Sequence, residues 1–175
     1  MAAYWSVFSG AAGFTYGAQP IWQFTDDTRK KHSSKTFQNW QEGMELPGAT
    51  QIGFLKKLME SHSILDLVPD QSLIAAGQGE CGSYSCAIRG KSHAFVYIPT
   101  GNKTTVRLGL ISGKVVKASW FDPRTGLTTE IGEFENSGVK SFEVPGMSKE
   151  LSWLKSGRGC DWVLVLEDTQ FFQFE

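Results

Sequence analysis

The chain has 175 residues and a formal net charge of −1, from 17 Lys+Arg against 18 Asp+Glu. That length suffices for one domain or a domain plus a fragment, burying roughly 70% of the unfolded surface without staples. The balanced charge gives no basic patch for nucleic acid, and no apolar run approaches the ~20 residues of a membrane span.

Aromatic residues are the compositional anomaly at 13%, with 6 Trp and 12 Phe. They fit a packed β core first, with stacking surfaces that bind pyranose rings as the alternative. Cys81, Cys86 and Cys160 form an odd set without a CxxC pair. Bridges 81–86 and 86–160 are both open, and no ligand spacing suggests zinc. The amino terminus lacks the pattern of a secretory signal. Neither a cofactor nor a metal is expected.

In chain order, AAYWSVFS (residues 2–9) reads as a strand apolar on both faces, running into the glycine-rich stretch GAAGFTYG at 10–17. Such a strand is expected as the last strand of a larger α/β domain, with chemistry at its carboxyl end. Residues 18–48 form a long connection, expected to act as a lid or binding loop. Over 49–61, Ile52, Leu55, Leu58 and Met59 fall on one stripe with Lys56, Lys57 and Glu60 opposite, predicting an amphipathic helix. Pro47 precedes it and Pro69 ends any continuation.

From about residue 73 the period becomes two. Strands are expected at 83–88, 93–98, 104–108, 115–121, 127–134, 139–144 and 162–167, separated by glycine-, asparagine- and proline-containing turns. Short antiparallel strands at this spacing predict a β-sandwich. The two regimes meet near residues 68–70, giving units of 1–68 and 69–175. The fold class is therefore mainly β, an antiparallel sandwich preceded by a strand-loop-helix unit.

Residues with chemistry are scattered. Asp26, Asp27, Glu42 and Glu45 are the carboxylates of the long connection, but none sits at a strand end as a glycosidic acid–base pair requires. His32, His62 and His93 lack ligand spacing and read as structural or surface residues. Ser9 and Ser112 lack a nucleophile elbow, and the glycines of 10–17 precede no helix that would aim amides at a phosphate. WFDPRTG at 120–126 is the sharpest turn signal. Asp122 can accept backbone N–H bonds, Pro123 presets φ, Arg124 can pair with an acid, and Gly126 permits positive φ.

Four ordered motifs, AYWSVFSGAAGFTYG (3–17), LPGAT with FLKKL (46–50 and 54–58), VPD (68–70) and WFDPRTG (120–126), resemble the carboxyl-terminal part of the apiosidase-like glycoside hydrolases. The similarity covers nearly the whole chain. It implies a (β/α)8 catalytic barrel followed by a sandwich named for collagen binding. Residues 1 to about 65 then correspond to the last barrel strand, loop and helix. A full barrel takes ~250 residues, and the family's catalytic carboxylates lie on earlier strands, so the expectation is a chain without catalytic residues and inactive alone. Many members carry histidine where this chain has Phe14, so any sugar contact through that histidine is absent here. Tyr16, Gln19 and Trp22 are the resemblance's candidates for lining a substrate cleft. Expected partners are carbohydrate, extracellular matrix or the remaining barrel, and the full-length family member is expected outside the cell. The competing expectation is an active secreted glycosidase whose carboxylates come from an amino-terminal segment.

Overall fold

The structure, a computed structural model, describes residues 1–26, 39–100, 103–146 and 160–171. Its described residues form nine strands in two antiparallel sheets, with four short α-helices placed mainly before them. The helices are α1 (Ala2–Phe8), α2 (Gln19–Trp22), α3 (Trp40–Met44) and α4 (Pro47–Glu60). The strands are β1 (Val68–Pro69), β2 (Ile74–Ala76), β3 (Cys86–Arg89), β4 (His93–Ile98), β5 (Lys103–Arg107), β6 (Val115–Phe121), β7 (Thr128–Glu135), β8 (Val139–Glu143) and β9 (Trp162–Asp168). The large sheet has the order β1-β3-β4-β9-β6-β7 and the small one β2-β5-β8.

The first element corrects the sequence reading: residues 2–8 are a helix, not a strand. Its apolar residues are spaced to suit a helix as well. Tyr4 and Phe8, four apart, are buried on one face, beside Ala3. A seven-residue helix is marginal alone, so α1 owes its stability to the surface it covers.

That surface is the outer face of the large sheet. In β4 the alternation sends Ala94, Val96 and Ile98 into the core between the sheets, and His93, Phe95 and Tyr97 toward the helices. In β9, Leu164 and Leu166 join the inner core while Val163 and Val165 face outward. All six β4 residues are therefore buried. Tyr4, Phe8, Leu55 and Leu58 from α1 and α4 pack on Phe95, Tyr97, Val163 and Val165, each burial contributing about 2 kcal/mol gross. The molecule thus has three layers: small sheet, large sheet and helices.

The edge of the large sheet is tied to this arrangement. Pro69 sits in the edge strand β1, where its missing N–H does no harm. Asp70 Oδ2 accepts a 2.6 Å bond from Arg89 Nε, and its other oxygen caps the Gln71–Leu73 3-10 turn through the Ser72 amide. No helix among the described residues is long and apolar enough to cross a membrane.

Candidate functional site at the helix–sheet junction

The β6–β7 connection is where the helical layer and the sandwich are locked together. Asp122 Oδ1 accepts the Arg124 amide at 2.8 Å and Arg124 Nε at 2.7 Å, while the Asp122 carbonyl accepts the Gly126 amide at 2.8 Å. Gly126 has φ +72°, and a Cβ there would lie 2.6 Å from Cδ1 of the Phe54 ring on α4. Only glycine satisfies both conditions. The Arg124 guanidinium lies 4.7 Å above the Trp162 ring.

Behind the turn lies a buried polar cluster. Tyr97 Oη donates to Asp161 Oδ2 at 3.0 Å, with Asp161 itself only 6% exposed. Tyr4 stacks on Tyr97 at 4.9 Å between centroids, and its own buried hydroxyl has no hydrogen-bond partner. Burial first, then the negative charge of Asp161, pushes both phenols well above their ordinary pKa. Tyr4, Arg124 and Asp161 line a cavity of about 230 Å³ together with Phe14, Tyr16 and Gln51.

The cleft candidates separate here. Tyr16 is half-buried, with its ring against the first turn of α4; a Cβ on Gly48 would come within 2.8 Å of it. It lines the 230 Å³ cavity and a larger apolar groove of about 610 Å³ beside Val7, Ile52, Leu55 and Met59. Neither cavity is lined by Gln19 or Trp22. Gln19 is the exposed first residue of α2, and Trp22 is 69% exposed at its end. The three residues therefore do not share one cavity.

The long connection also differs from a plain loop, since it holds α2 and α3, packed with Gly43 facing Pro20 and Ile21. Glu42 accepts the Asn39 amide at 2.8 Å and so caps α3, while Glu45 is exposed. Asp27 and His32 lie outside the described residues.

Sequence reasoning missed a histidine pair. His62, just past α4, and His93, opening β4, stand 4.7 Å apart between ring centroids. His62 Nε2 lies 2.8 Å from Glu167 Oε1, and its Nδ1 lies 2.8 Å from Ser61 Oγ. His93 is fully buried with neither ring nitrogen hydrogen-bonded. Burial, helped by His62, lowers its pKa to about 4. The two are 31 positions apart, and their meeting depends on α4 lying across the sheet. Among the described residues, no group of three or more His, Cys, Asp or Glu could hold a metal ion. Cys81 is exposed, while Cys86 and Cys160 are buried.

Comparison with known proteins agrees with this architecture. Residues 1–66 match the family described as "Apiosidase-like, catalytic domain". Residues 68–167 match the family described as "Putative collagen-binding domain of a collagenase". No curated protein matches. One solved structure, a glycoside hydrolase, is 34% identical with a TM-score of 0.81, over 96% of this chain and 36% of that one. Another, a glycoside hydrolase family 5 protein from Bacteroides vulgatus ATCC 8482, is 33% identical with a TM-score of 0.81, over 96% of this chain and 35% of that one. The chain thus spans about a third of the length of these two structures. With more than half of its residues inside the 68–167 match, the chain belongs to the family described as the "Putative collagen-binding domain of a collagenase", and its first 66 residues are similar to the apiosidase-like catalytic domain.

Proposed function

We propose that this chain serves as a non-catalytic carboxyl-terminal portion of a glycoside hydrolase, in which the sandwich (69–175) braces the barrel-derived segment (1–68). The observation that carries this reading is the continuous core of Tyr4, Phe8, Leu55 and Leu58 on Phe95, Tyr97, Val163 and Val165, which joins the two matched segments. An accessory domain that only tethered a ligand would need no such seam. The turn at Asp122 to Gly126, fitted against Phe54, supports the same role.

A sugar- or matrix-binding platform is the weaker reading. Such a surface needs exposed aromatic rings in a row, yet of Trp120, Trp153 and Trp162 the first is 5% exposed and the last is packed against the inner core, while Trp153 lies outside the described residues. The strongly exposed rings Trp22 and Phe24 lie on the connection before α3, not on a sandwich sheet. On this proposal, hydrolysis by the whole enzyme depends on carboxylates contributed from outside this chain. Incubating the purified 175-residue protein with pectic and arabinogalactan-type glycans tests it. Reducing-sugar release equal to a heat-killed control is expected, and release above that control refutes the non-catalytic role.

A further inference from the structure

The chain passes from α4 to β1 through residues 61–67, and the boundary between the two matched segments falls inside this connection. Little apolar burial holds it down, since Leu65 is 96% and Ile64 52% exposed. Its ties to the sheet are polar. His62 Nε2 meets Glu167 Oε1 on β9 at 2.8 Å, and Asp66 Oδ2 accepts the Lys91 amide at 2.7 Å.

Beneath the connection lies His93, fully buried between the rings of His62 at 4.7 Å and Phe95 at 5.4 Å. Neither of its ring nitrogens has a hydrogen-bond partner among the described residues. Two carboxylates come near, but Glu167 bonds His62 and Asp66 bonds the Lys91 amide. Asp66 Oδ2 and His93 Cε1 would each lie 2.9 Å from a Cβ on Gly90, so the connection closes over the ring where the β3–β4 turn carries no side chain.

A neutral imidazole tolerates this site, whereas an imidazolium needs acceptors for two N–H groups. A proton on His93 also sets positive charge against His62, which carries its own once protonated. The charged groups around the ring are His62 past the end of α4, Asp66 in the connection and Glu167 on β9. Lys91 lies in the β3–β4 turn, and Lys117 stands opposite Glu167 on β6. The cost of the proton is relieved by whichever wall moves most easily. β4 is paired on both sides and its inner face lies in the core, so the connection is the wall that yields.

We propose that His62 and His93 form an acid-operated latch: protonation of His93 lifts residues 61–67 off the start of β4 and frees the joint between the two segments, while both sheets stay folded. The latch does not depend on the bracing role, because it acts on the connection and not on the apolar seam of α1 and α4. Burial, with His62 adding to it, holds the closed ring at a pKa of about 4, and an opened ring returns to its ordinary 6.5. Acid therefore favours the open form. Linkage between these two values makes opening roughly fiftyfold more favourable at pH 4.5 than at pH 7. Asp66, held below the usual carboxylate range by the Lys91 amide, stays ionised over that interval.

The test is native-state amide exchange on the whole 175-residue protein, with rates corrected for the intrinsic effect of pH. The Leu67 amide, bonded to the Ile64 carbonyl, and the Lys91 amide report the connection, while Val96 and Leu166 report the large sheet. Protection of Leu67 and Lys91 is expected to fall by about tenfold or more from pH 7 to pH 4.5, through an opening insensitive to low urea. Val96 and Leu166 are expected to keep the urea dependence of global unfolding. His93→Leu should remove the pH response of Leu67 and Lys91, and His62→Gln, which keeps a donor for Glu167 without the second charge, should reduce it. The proposal is overturned if those two amides show no pH response in the unmodified protein, if their exchange follows urea in step with Val96 and Leu166, or if either folded variant leaves the response unchanged. The measurement on the unmodified protein decides even where a variant fails to fold. Failure of the bracing role would instead show at Leu55 and Leu58, which the latch leaves protected.

Discussion

Phe8→Ala isolates the seam that joins the two segments. Phe8 is fully buried at the end of α1, with ring centroids 5.9 Å from Phe95, 5.9 Å from Tyr4 and 6.4 Å from Tyr97. Removing the ring forfeits its transfer free energy and opens a void against β4, a strand that does not move because its other face is packed in the inner core. Core Phe→Ala changes of this kind cost about 3–5 kcal/mol. For a chain of this size that corresponds to a fall in Tm of roughly 6–20 °C. The cost reaches global stability only if α1 and the sheet unfold together; a separately fraying helix would shed the loss locally. Urea melts followed by both tryptophan fluorescence and far-UV circular dichroism read this out. Coincident single transitions displaced by at least 3 kcal/mol are expected. A loss below 1 kcal/mol, or two resolved transitions, refutes the shared core.

Three further outcomes follow from particular residues. His93 has a folded pKa near 4 against 6.5 unfolded, so the unfolded chain binds the extra proton between those values. Stability is then full above about pH 6.5 and declines as pH falls toward 4, by at most about 3 kcal/mol; the groups facing it are His62, Asp66 and Glu167. His93→Leu should flatten that slope in pH-dependent urea melts, and an unchanged slope contradicts the assignment. Gly126→Ala forces a Cβ at φ +72° into the Phe54 ring and should cost about 2–3 kcal/mol in thermal unfolding; a change under 0.5 kcal/mol would show that the turn does not press on α4. Cys81 is exposed, whereas burial pushes the Cys86 thiol up to about 12 and raises that of Cys160. Titration with an aromatic disulfide reagent should therefore find one fast thiol in the native protein and three after denaturation.

Local pattern carried much of the architecture. The short β-branched and aromatic runs of β4, β6 and β9, bounded by turn residues, placed those strands within a residue of where they lie. The stripe of Ile52, Leu55, Leu58 and Met59 likewise reads directly as α4. The short strands β1 and β2 left no periodic signal in two and three residues. Residues 2–8 misled because a run apolar all round looks the same as a buried strand or a buried helix, and the aromatic side chains of Tyr4, Trp5 and Phe8 favour strand on propensity alone. A clue was nevertheless present in HAFVYI at 93–98, where Phe95 and Tyr97 are apolar on the face a two-layer sandwich would leave to solvent.

The junction itself was legible only in pieces. The turn chemistry of Asp122, Pro123 and Gly126 is local and can be read from the sequence. That Gly126 faces Phe54, that Tyr97 bonds Asp161, and that Tyr16 turns onto Gly48 are contacts across more than thirty positions of sequence. No spacing rule encodes such contacts. The cleft candidates Tyr16, Gln19 and Trp22 came from the family resemblance, which carries no information on where each side chain lies. Tyr16 faces the junction while Gln19 and Trp22 face solvent.

Native-state hydrogen exchange tests the bracing role most directly. If the helices and the sandwich form one cooperative unit, the amides of Leu55 and Leu58 in α4 and of Phe95 and Tyr97 in β4 should approach the same opening free energy as denaturant rises, and Phe8→Ala should lower all four equally. Exchange of α4 through a separate, cheaper opening, with β4 protection unaffected by Phe8→Ala, would contradict the account.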